Sequence, residues 1–140
     1  MTAETFAELV AYWQDRLGLH NWRVQVVGSQ QPTVNCNGDD AHAFITMQQN
    51  VLSAAVEVAL GADEDLLRAA ACHEMLHLAL QDLGEAEDSI LACLSAGEKT
   101  LAQAILQERR ESLVIRLTRA FMEASEPPPA KRSRPTARKG

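Results

Sequence analysis

At 140 residues, 46% of them apolar, and with a net charge of −6, the chain is long enough for one compact domain with a real core. No segment approaches the roughly 18 consecutive apolar residues of a membrane span, and the acidic start lacks the basic and apolar parts of a secretory signal. Cys36, Cys72 and Cys93 are odd in number and form no C-x-x-C, which argues against a disulfide framework or thiolate zinc cage and for a reduced, cytoplasmic setting.

Phe6, Leu9, Val10, Trp13 and Leu17 recur at helical spacing, so residues 5–17 are expected to form an amphipathic helix ended by Gly18. Trp22 to Val27 alternates apolar and polar side chains, the pattern of a half-buried strand. Residues 28–40 are rich in turn formers, with a short strand expected near Val34. His42 to Met47 reads as another strand, and residues 51–60 as a loop feeding a further one. Asp63 is a suitable N-cap, with acidic residues in the following turn, for a helix expected to run to about Leu83 and stop at Gly84.

From Asp88 to Ala124 two more helical stretches are expected, broken near Ser95, Ala96 and Gly97. In the second, Leu106, Leu113, Leu117, Ala120 and Phe121 form the main apolar stripe, and Ala104, Glu111, Ile115 and Met122 a weaker one on the opposite side. Residues 1–125 are thus expected to form the domain, and the Pro-rich, basic residues 126–140 a disordered tail. Five basic residues and Glu126 give the tail +4, which leaves −10 on the rest within the total of −6. So acidic a domain is a poor surface for nucleic acid, whereas the tail could make weak, salt-sensitive contact with nucleic acid or an acidic partner.

Chemistry concentrates between Ala69 and Leu80, where His73, Glu74 and His77 stand among Ala, Leu, Met and Cys. On a helix the two histidines lie about 40° apart, with Glu74 about 60° beyond His77. Two imidazoles can then share one ion, with a carboxylate beside it to move a proton. This is the H-E-x-x-H arrangement, in which both histidines bind zinc and the Glu acts as general base. A helix apolar nearly all round is normally buried, and burying this carboxylate with two imidazoles is costly unless a divalent cation compensates. The plainer alternative is a structural helix whose His and Glu satisfy one another.

A catalytic zinc site needs a third protein ligand and an open position. No histidine follows His77, so the third ligand is a downstream carboxylate, Cys93, or an upstream His20 or His42 folded back. Glu98 lies 21 residues after His77, the thermolysin-like spacing. Glu111 sits within the weaker apolar stripe, with Glu108 at its edge, and a carboxylate among apolar neighbours should be paired or coordinated. Glu111 ranks first, Glu108 second and Glu98 third, against the ordinary fate of pairing with Arg109, Arg110 or Arg116 on a solvated face. Cys72 points about 100° from His73 and reads as packing. His42 reads as an ordinary strand histidine, with substrate contact as the alternative.

The chain resembles a zincin, and more closely the small single-domain, minimal gluzincin-type metallopeptidase-like proteins of phage and bacterial genomes. The resemblance rests on W-x3-L-G-L-x2-W-x-V-x-V (Trp13 to Val26), A-x-A (Ala41 to Ala43), A-x-H-E-M-L-H-L-x-L (Ala71 to Leu80) and E-x-L-V-x-R-L (Glu111 to Leu117). It implies an α+β, zincin-like fold: an N-terminal helix, a small twisted and mainly antiparallel sheet, the motif helix and C-terminal helices. It also implies that His73, His77 and Glu111 bind Zn2+, that Glu74 is the catalytic base, and that a peptide or protein substrate pairs with the edge strand 42–47. The function expected is zinc-dependent peptide-bond hydrolysis. The competing expectation is a weakly active or inactive zincin-fold binding or regulatory module tethered by its basic tail; a DNA-linked protease resembling SprT-like proteins is disfavoured by the missing downstream histidine.

Overall fold

The computed structural model describes residues 1–31, 33–34 and 40–125. The expected tail 126–140 and Cys36 lie outside the described residues. Helix α1 (Ala3–Arg16) starts at Thr2, whose hydroxyl accepts a hydrogen bond from the Thr5 N–H, and buries Phe6, Leu9, Val10 and Trp13 on one face. Gly18, at φ +69°, takes the left-handed conformation that stops it, as expected from sequence. The Gln14 amide then donates to the carbonyls of Leu19 and Trp22, at 3.0 and 2.7 Å, and fixes the turn into the sheet.

Strand β1 (Arg23–Ser29) is followed by two short strands, β2 (Thr33–Val34) and β3 (Asp40–Ala41), which form an antiparallel pair of their own. Strand β4 (Ala43–Gln48), a 3-10 turn (Gln49–Val51) and β5 (Ser53–Ala59) complete a three-stranded sheet in the order β1-β5-β4. The sheet is mixed, which corrects the mainly antiparallel expectation: β4 and β5 pair antiparallel, but β1 and β5 pair in parallel over their full length. The tight turn at Gln49–Val51 forces the first pairing. The longer connection from β1 leaves its partner's direction open, and alternation along a strand carries no information about it.

Ala54, Val56 and Val58 of β5, with Ala43 and Ile45 of β4, are buried on one face of the sheet, while Thr46 and Glu57 are exposed on the other. The buried face joins Phe6, Leu9, Val10 and Trp13 of α1 in one core with Leu67, Ala71, Met75 and Leu78 of the next helix, α2 (Glu64–Ala79). Asp63 caps α2 by accepting from the Asp65 and Leu66 N–H groups, as its sequence position suggests. Each fully buried Leu or Met contributes about 1.5–3 kcal/mol, enough together to offset a polar group on the same helix.

The motif helix ends earlier than expected. Leu80, at φ −94° and ψ 11°, breaks it, and α3 (Gln81–Leu91) continues from there, with Gly84 inside it and not beyond it. Helix α4 (Ala96–Ala124) follows a break at residues 92–95. Its packing face also differs from the expected stripes: Val114 and Thr118 are its buried residues, with Leu106, Leu113 and Leu117 half-buried, and Phe121 meeting Trp13 edge-to-face at 6.0 Å. No helix among the described residues is long and apolar enough to cross a membrane.

Candidate metal centre

Helix α2 carries His73 and His77 one turn apart, so that both rings face the same way. Their Nε2 atoms lie 3.1 Å apart. Helix α4 packs against α2 through Val114 and its neighbours, and this brings Glu111 over the same point. One oxygen of its carboxylate is 3.0 Å from His73 Nε2 and the other 3.3 Å from His77 Nε2. Among the described residues, His73, His77 and Glu111 form a cluster that could hold a metal ion.

Glu74, the next residue on α2, is only 6% exposed. Burial, the largest influence, pushes its carboxyl above the ordinary value; His77 and His73 pull it back, Glu111 raises it further, and a hydrogen bond from the Ile45 backbone lowers it. Glu111 behaves in the opposite way, held well below the ordinary carboxylate range by hydrogen bonds from His73 and His77. At His73 burial acts downward, but the hydrogen bond to Glu111 and the negative charges of Glu74 and Glu111 outweigh it and leave the imidazole above its usual value. An ionised carboxylate facing two imidazole Nε2 atoms is a donor set suited to a divalent cation.

The other residues considered from sequence fall elsewhere. Glu98 closes a capping box at the start of α4, accepting from the Ser95 N–H and hydroxyl. Glu108 lines the same cleft but stands outside the three-residue cluster. Cys93 is exposed, His20 sits 3.7 Å from Asp15 on the surface, and His42 is exposed at the bend before β4. Cys72 is fully buried, and burial pushes its thiol up to about 12, consistent with packing. Glu111 was ranked first for an apolar setting, and that reason is corrected: its side chain is 48% exposed and Ile115 beside it is 47% exposed. Ala104, Glu111 and Ile115 of the weaker stripe line an open cleft, while Met122 packs against the core.

No protein-family model, no curated protein and no solved structure matches this chain. The site therefore stands on its own geometry. The cleft above it measures about 1230 Å³ and is walled by Ala43, Phe44, Ile45 and Met47 of β4 on one side and by α3 and α4 on the other. Sequence reading did not single out Glu87, which lines the α3 wall, and named its partner Arg110 on α4 only as a possible partner of the candidate glutamates. The available signal was Gly84, a small residue one turn before Glu87, where a long side chain from another helix can lie against the backbone.

Proposed function

We propose that the chain is a zinc-dependent peptide-bond hydrolase of zincin-like type, with His73, His77 and Glu111 as metal ligands and Glu74 as general base. The observation that carries this reading is the convergence of two Nε2 atoms and one carboxylate beside a buried glutamate at the floor of a cleft. Their separations of 3.0, 3.1 and 3.3 Å are close to the edge of about 3.3 Å of a tetrahedron with zinc bonds near 2.0–2.1 Å. Two histidines and a glutamate also match a catalytic donor set, which leaves one position for water or substrate.

Zinc held by His73, His77 and Glu111 would supply Lewis acidity to a scissile carbonyl and to water. The chain's own residues do the rest. Glu74, buried beside the two ligand histidines at the floor of the cleft, is placed to take a proton from the attacking water and return it to the leaving amine. Strand β4 is the sheet's edge and lines the cleft, so an extended peptide can pair along Ala43–Gln48 with its scissile bond near Glu74.

The test is Glu74→Gln in a peptide-library cleavage assay with zinc measured in parallel. Hydrolysis should fall by roughly 10²–10⁴-fold, with zinc stoichiometry unchanged. Undiminished hydrolysis, or loss of zinc in this variant, would overturn the assigned role.

A further inference from the structure

Helix α4 is held in two ways. From Val114 onward it packs on the core, whereas between Leu101 and Arg109 its residues are exposed except for Ala102 and Leu106, which are half-buried. Glu111 stands at the boundary, and Arg110 beside it reaches to α3. The Arg110 guanidinium lies against Gly84, where an added Cβ would meet it at 3.5–3.6 Å, and pairs with Glu87, whose side chain is only 13% exposed. The Arg110 Nε is buried without a hydrogen-bond partner. Placing an ion pair in this setting and leaving one donor unused has a desolvation cost, so net stability is a weak explanation for the arrangement. Fixing one geometry is the better-supported use of a partly buried pair.

We infer that Glu87 and Arg110 are positioning residues for the metal centre: their ion pair clasps α4 to α3 and holds Glu111 within ligand distance of His73 and His77. Without the clasp, the carboxylate of Glu111, already nearly half exposed on a helix whose preceding turns are largely exposed, swings towards solvent. Metal sites tolerate errors of only about 0.2 Å in ligand distance, so a small movement of α4 weakens the third ligand while the core stays packed. This inference rests on the proposed metal-binding reading.

The experiment uses the full chain stripped of metal, titrated with Zn2+ against a chromophoric chelator and with Co2+ for its visible spectrum. The panel is wild type, Glu87→Gln, Arg110→Gln, the double variant, Arg110→Lys and Glu111→Gln. Each single neutralisation should weaken Zn2+ binding by roughly ten-fold and move the Co2+ spectrum towards that of Glu111→Gln. The double variant should lose no more than either single one, and Arg110→Lys, which keeps the charge, should recover part of the affinity. Wild-type affinity and spectrum in Glu87→Gln and Arg110→Gln, whatever their melting temperatures, would overturn the clasp and leave the metal reading intact. If wild type binds neither ion, both fall together. Should one neutralised variant fail to fold, the other carries the test: a wild-type Co2+ spectrum and affinity there, beside a weakened Glu111→Gln, would overturn the clasp.

Discussion

Glu111 and His73 have opposite perturbations that share a cause, the contact between them, to which His77 adds at Glu111 and Glu74 at His73. Because the His73 value is raised on folding, its contribution is full below the ordinary value of 6.5 and is lost as pH rises through the folded value. Because the Glu111 value is lowered, its contribution is present above the ordinary 4.5 and is lost as pH falls through the folded value. In metal-free protein the pair therefore stabilises most between those two ordinary values. The gap in melting temperature between wild type and Glu111→Gln should be wider at pH 5.5 than at pH 8. An equal gap at both would contradict the pairing. Zinc binding should run the other way and strengthen as the imidazoles lose protons. At this scale His73, Glu74 and His77 were legible because the helical period alone fixes their relative directions. Glu111 was legible as a candidate only, since its place over α2 depends on how two distant helices cross. The reason for preferring it was wrong, because periodicity cannot distinguish an apolar face against a core from one bordering a cleft.

Among the elements, the break between α2 and α3 was the least readable. Gly84 looked like a stop, yet it lies within α3, and the chain bends at Leu80, which has no local sequence signature for it. The structure gives Gly84 ordinary negative φ and room for a methyl group against the Arg110 guanidinium at 3.5 Å. Gly84→Ala should therefore raise stability by up to about 1 kcal/mol through helix propensity, measured as an increased thermal midpoint. A clear loss of stability would mean that α3 needs the glycine for close approach. Glu98, the third-ranked ligand candidate, carries a local signal of a different kind. Ser95 followed three residues later by Glu98 is the capping-box pattern, and that use of the carboxylate keeps it apart from the cluster of His73, His77 and Glu111. The spacing from His77 alone suggested a ligand; the nearer, local pattern prevailed.

Across the whole molecule, the coarse α+β class was readable because strand alternation and helical periodicity occupy separate stretches of the chain. The mixed pairing of the sheet was not, because strand direction follows from the path between strands. The same path places β4 at the edge and leaves it lining the cleft over α2, so the sheet's topology and the site's access are one feature. Burying Glu74 and gathering His73 and His77 of α2 with Glu111 of α4 at one point concentrates polar groups where a cation would satisfy them. The most direct test is metal content by mass spectrometry on protein purified without added metal, beside His73→Ala with its fold checked by circular dichroism. About one zinc per wild-type chain is expected, and none in the variant. A metal-free wild type that takes up no zinc when it is supplied, with both proteins folded, would contradict it.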